Sequence, residues 1–165
     1  MANDDGELRG VAGWLGLFVV VIAILSPLRI LITTYTSLHA DPEVALAYGS
    51  LWDRLVLVEW IVSGSAVFLC WFIAWRLVAR HVWSSVRIAI AGIWMLAVGY
   101  HAVEFGIVSL LTGIPIDALI EVSVAELIQP LFFGVLWTAY LLRSERVANT
   151  YPAGSDAAEI AGVFD

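Results

Sequence analysis

The sequence predicts an all-α polytopic membrane protein, an antiparallel bundle of four transmembrane helices with a short surface helix in the first outer loop. Three observations carry this. The run VAGWLGLFVVVIAILSPL, residues 11–28, holds no ionisable side chain, and at ~1.5 Å per residue it covers roughly the hydrocarbon thickness of a bilayer. The 165-residue chain is 61% hydrophobic and 14% charged, with a mean hydropathy of +0.91, more apolar surface than a soluble core of this length hides. Three further apolar runs follow, joined by segments in which charges collect.

Span one is placed at about residues 11–32. Small residues (Gly10, Gly13, Gly16) open it, and Ser26-Pro27 is expected to kink it just before Arg29, because proline cannot donate to the carbonyl four residues back. The segment from Thr33 to Asp53 reads as a loop carrying a short surface helix. There Asp41 serves as a cap, Pro42 suits the first helical position, Glu43 favours the positive end of the helix dipole, and Gly49 stops the helix. Span two, about 55–76, holds one acid near its start, Glu59. Arg76, Arg80, His81 and Arg87 surround the tight connection to span three, about 88–111, which carries His101 and Glu104 and is broken by Gly113-Ile114-Pro115. Ile116 to Val122 reads as a short connection. The last apolar run, Leu127 to Leu142, is only sixteen residues long. It is too short to cross alone, so span four has to begin upstream, at about 122, and takes Glu126 with it. An acidic N-terminal tail (1–10) and an acidic C-terminal tail (147–165) flank this membrane domain of residues 11–146.

The formal charge of −7 comes from fifteen acids against eight arginines, with no lysine. That balance excludes a nucleic-acid surface. Much of the acid sits in loops and tails, with Asp4, Asp5 and Glu7 before the first span and Asp156, Glu159 and Asp165 in the last ten residues. Cys70 is the single cysteine, so an internal disulfide is excluded. The acidic start and the long first apolar run argue against a cleavable signal peptide. With the N-terminus inside, Arg9, Arg76, Arg80, Arg87, Arg143 and Arg146 fall on the inner face, and only Arg29 and Arg54 on the outer. This obeys the positive-inside rule and predicts that both termini are cytoplasmic. Trp14, Trp75 and Trp83 then lie near the inner interface and Trp52 and Trp60 near the outer one, where indoles prefer to sit.

Gly13-Trp14-Leu15 opening span one, Ser26-Pro27-Leu28-Arg29 closing it, and the run YLLRSERVANTY from Tyr140 to Tyr151 after span four resemble the YdgK-like family. These are bacterial inner-membrane proteins with four helices, grouped as a domain of unknown function. The resemblance covers Gly10 to Tyr151 and is most specific in the Ser-x-Arg-Val-x-x-Thr-aromatic pattern at residues 144–151. It implies four spans and a bacterial inner membrane. It carries no activity, cofactor or catalytic residue, and the acidic tail after Tyr151 lies outside it.

Placed at their depths, Arg29, Glu59, Glu104 and Glu126 share one layer just inside the outer hydrocarbon boundary, with His101 and Gln129 one turn deeper. Ionisable groups at such depths turn towards protein or water. One arginine against three glutamates requires relief by protonated carboxyls, by His101 as imidazolium, or by a bound cation or amine. The competing reading is interhelical glue around Arg29. His101-x-x-Glu104 puts both side chains on one helical face, but it reverses the Glu-x-x-His order of di-iron bundles, and no second histidine lies within the membrane. No metal, haem or other cofactor is expected. There is no nucleophile–base pairing and no phosphate-binding glycine loop, and Ser63-Gly64-Ser65 reads as small residues for close packing with no base nearby.

Span three also carries a seam of small residues, Gly92, Gly99, Ala102, Gly106, Ser109 and Gly113, in which the glycines recur every seven residues. Such a seam lets two helix backbones approach closely in lipid. At ~100° per residue it lies opposite Ala97, His101, Glu104 and Val108. If the charges turn inward, the seam faces outward to another protein; alternatively it packs on a neighbouring span. The sequence therefore leads to a non-enzymatic accessory or assembly subunit of a larger inner-membrane complex. Its partners would be lipid and other integral membrane proteins, or a second copy through span three. The alternative is a small transporter or channel component with a proton, cation or amine site in the carboxylate layer.

Overall fold

The computed structural model describes residues 9–39 and 42–155. The acidic N-terminal tail up to residue 8, the Asp41 cap and the C-terminal tail beyond 155 lie outside the described residues. The described chain is all-α, without a strand. It comprises α1 (Gly13–His39), α2 (Pro42–Tyr48), α3 (Trp52–Ala79), α4 (Trp83–Thr112), α5 (Ile116–Arg143) and α6 (Glu145–Thr150). Four of these, α1, α3, α4 and α5, are long and apolar enough to cross a membrane, which makes this a multi-pass membrane protein.

Two segments expected as connections are helical. The loop anticipated from Thr33 is helix as far as His39. Its polar side chains bond back into the helix: Thr36 Oγ1 donates to the carbonyls of Ile32 and Thr33, and His39 Nδ1 lies 2.8 Å from the carbonyl of Tyr35. The connection read into Ile116–Val122 is the first turns of α5. Gly113, at φ +74°, closes α4 in the left-handed conformation that favours glycine, Pro115 is extended, and Asp117 complements the dipole in the first turn of α5.

Two spans are interrupted by π turns, at Val21–Leu25 in α1 and Met95–Gly99 in α4. The first has a readable cause. Pro27 has no N–H to give to the carbonyl of Ala23, and the Ser26 N–H reaches back to Val21. The stranded Ala23 carbonyl accepts instead from the indole Nε1 of Trp71 on α3, at 3.0 Å. In a bilayer no water relieves an unpaired carbonyl, so this bond lets the proline be tolerated.

The tightly packed core sits at the end of the bundle where the described chain begins and ends. Leu15, Phe18 and Ile22 from α1 meet Cys70, Ile73, Ala74 and Leu77 from α3, Val86, Ala89 and Ile93 from α4, and Trp137 and Leu141 from α5. Lipid is as apolar as these side chains, so cohesion here comes from close packing. Gly92 and Gly134 let backbones approach, and the Phe18 and Trp137 rings join α1 to α5 with centroids 4.7 Å apart. A latch ties this end together. Val147 and Tyr151 are fully buried, the Tyr151 hydroxyl donates to the Leu77 carbonyl (2.6 Å), the Thr150 hydroxyl accepts from the Gly10 N–H (2.9 Å), and Arg146 donates to the Arg9 carbonyl (3.3 Å). Residues 144–151, where the family resemblance is most specific, supply the C-terminal side of this latch.

Candidate functional site

At the opposite end polar side chains replace the core. Thr34 of α1, Glu59 and Ser63 of α3 and Tyr100 of α4 converge on one point. Glu59 Oε1 lies 3.4 Å from the Thr34 hydroxyl, 3.3 Å from Ser63 and 3.3 Å from Tyr100. The Ser63 oxygen is 2.6 Å from that of Thr34 and 3.2 Å from that of Tyr100. Three hydroxyl hydrogens serve these five contacts, so only three are bonds at any instant. Protonating Glu59 would add a fourth donor. The network can therefore hold a proton without losing satisfaction.

Beyond this knot are two crevices that share Thr33, Tyr100 and His101 as a common wall. The acidic crevice, about 230 Å³, is lined by Glu59, Glu104 and Glu126, with Tyr48 and Phe105 among its walls, and His101 is the one basic side chain on it. The second crevice, about 320 Å³, lies between α1 and α5 with α4 as its floor, and Arg29, His101 and Gln129 line it. The His101 ring stands edge-on to Tyr100, and its Nδ1 is 3.3 Å from Glu104 Oε2. Glu104 is half-buried, while Glu126, Gln129 and Arg29 are exposed at the crevice mouths. Arg29 lines one crevice and the three glutamates the other. Among the described residues no three His, Cys, Asp or Glu side chains converge as metal ligands would.

The small-residue seam is divided. Gly92 is buried against α3, where an added Cβ would sit 2.9 Å from Ile73 Cγ1. Gly99 is covered by the Met95 side chain of its own helix, Ala102 is exposed, Ser109 is half-buried, and a Cβ on Gly106 or Gly113 would meet nothing within 4 Å. The π turn at Met95–Gly99 explains the division. It inserts one residue into the helical count, so positions beyond it are rotated by ~100° from a seven-residue repeat read along an unbroken helix.

Reading the sequence missed Thr34, Ser63 and Tyr100. Ser63 does pack closely, but it has a carboxylate beside it, contrary to the expectation of no base nearby. The available signal was its spacing of four from Glu59, which puts both on one face of a helix. Thr34 falls in the segment that the sequence predicts as a loop and that the structure shows as helix.

Fold and site together define a small four-span membrane protein, latched at one end and carrying at the other two adjoining crevices with charged and polar residues among largely apolar walls. The chain belongs to the family described as Protein of unknown function (DUF2569), whose model matches residues 8–152. It matches no curated protein and no solved structure at a significant level.

Proposed function

We propose that this protein is a small ligand-holding component of a membrane transport system, taking a proton, cation or amine in the acidic crevice. The observation that carries this is the gathering of Glu59, Glu104 and Glu126 on one crevice within the bundle, apart from Arg29. Carboxylates at membrane depth need a countercharge or a proton, and His101 alone does not balance three. The pattern suits an organic ammonium or a proton better than a bare metal ion, since no ligand triad forms among the described residues. Methylammonium uptake into proteoliposomes tests it. Glu104→Gln and Glu126→Gln should each abolish uptake, and uptake indifferent to both would remove the proposal.

A second reading, an accessory or assembly subunit of a larger complex, is favoured by the open strip at Ala102 and Gly106 on α4. Cysteine at Gly106 should crosslink to another chain in native membranes; exclusively intramolecular products would count against it. We further propose a YdgK-like protein of the bacterial inner membrane with both termini cytoplasmic. The arginine asymmetry and the resemblance of residues 10–151 support this. A C-terminal fluorescent fusion that is bright and an alkaline phosphatase fusion that is inactive are the expected outcomes.

A further inference from the structure

The crevice between α1 and α5 has a polarity gradient along the membrane normal. Towards mid-bilayer it is lined by Val21, Leu25, Ile93 and Phe133, below which the Phe18–Trp137 contact closes the gap. Towards the open end it is lined by Arg29 and Gln129. From Val21 to Arg29 the helix rises ~12 Å. Apolar below and charged above, on the flank of a bundle set in lipid, this is the polarity profile of one leaflet.

The walls of this crevice are irregular at the same height. Both π turns contribute to it, Val21 and Leu25 from one and Leu96 and Ala97 from the other, and the third wall carries Pro130 inside α5. π turns recur at functional sites, and three broken walls around one gap mark it as built. Pro130 has no N–H for the Glu126 carbonyl, so an acceptor is freed beside the Glu126 carboxylate.

The charge distribution selects the headgroup. A simple anion at Arg29 would sit in a crevice whose wall of Thr33, Tyr100 and His101 is shared with the crevice lined by Glu104 and Glu126, and would leave those carboxylates unmatched. A simple cation would leave Arg29 unmatched. A zwitterion bearing a phosphate and a primary ammonium answers both ends. A quaternary ammonium lacks the N–H donors that carboxylates and a freed carbonyl accept from.

We propose that this crevice holds one acyl chain of a phosphoethanolamine-headed amphiphile, its phosphate on Arg29 and its ammonium turned to the Glu104 and Glu126 carboxylates; the ammonium end rests on the reading of the acidic crevice given above. Native mass spectrometry of the detergent-purified full chain tests it. The probes are ethanolamine, choline and glycerol phospholipids with identical acyl chains, together with lyso-phosphatidylethanolamine and free phosphoethanolamine. The ethanolamine lipid should be retained about tenfold over the other two, the increment expected for charge-assisted hydrogen bonds. Retention of the lyso form at the level of the diacyl form is the result expected if one acyl chain fills the crevice, and binding of free phosphoethanolamine without either lipid overturns the proposal. Arg29→Gln should lower retention about tenfold, and Gln129→Trp, which fills the mouth from an exposed position, should block it should the Arg29 variant fail to fold. Equal retention of the three headgroups, or retention unchanged in both variants, overturns the proposal. If methylammonium still binds in that case, the acidic-crevice reading survives; if it does not, both fall.

Discussion

At the scale of single residues, polar side chains do the work that backbone and water do elsewhere. Trp71 is more than half exposed, yet its indole bonds the carbonyl that Pro27 strands. Trp71→Phe keeps most of the ring surface and deletes only the donor. It should lower stability by ~1–3 kcal/mol, the cost of an orphaned carbonyl, in chemical or thermal unfolding of the detergent-solubilised protein. Trp75→Phe, at another exposed indole of α3, should change little. The knot around Glu59 makes a second case. Tyr100→Phe removes one of three hydroxyl donors to the carboxylate and should cost ~1–2 kcal/mol. Because Tyr100 and Glu59 share a bond, Tyr100→Phe combined with Glu59→Gln should fall short of the sum of the single changes by at least ~0.5 kcal/mol, whereas additive costs would show that the two are not coupled. The glutamates were legible in the sequence because a carboxylate in an apolar run is conspicuous. The hydroxyls were not, since Ser, Thr and Tyr are common in spans and only tertiary placement reveals which ones meet an acid.

At the scale of elements, the four spans were readable from apolar runs, but their phase and extent were not. The segment from Thr33 to His39 is polar, and it remains helical because its hydroxyls and imidazole bond carbonyls of the preceding turn. The π turn in α4 has no composition signal comparable to a proline; it shows only once the helix is packed. Its consequence is testable at two glycines that the seven-residue spacing made equivalent. Gly92→Ala pushes a methyl into Ile73 and should destabilise the monomer by ~1–3 kcal/mol, as overpacking does. Gly106→Ala enters open space and should be neutral or slightly stabilising in detergent, because alanine is the better helix former. Equal costs at both sites would contradict the rotation introduced by the π turn.

At the scale of the molecule, the latch formed by α6 and Tyr151 ties together the end of the bundle opposite the crevices. The Leu77 carbonyl lies in the last turn of α3, where the helix supplies no N–H; Tyr151 caps it from the far end of the sequence while fully buried. Burial disfavours the phenolate and pushes the Tyr151 hydroxyl up to about 12. Below pH ~10, the ordinary tyrosine value, the residue is neutral in both folded and unfolded chains and the latch contributes fully. Between pH ~10 and ~12 the unfolded chain loses the proton while the folded chain keeps it, so stability falls by up to ~1.4 kcal/mol per pH unit. Above that the contribution stays lost. Phenylalanine at this position cannot ionise and cannot cap Leu77. Tyr151→Phe should therefore be ~1–2 kcal/mol less stable at neutral pH and show a shallower alkaline slope. Parallel alkaline slopes in the two proteins would mean that another group governs that limb, and equal stability at neutral pH would mean that the bond to Leu77 does not hold the closed end.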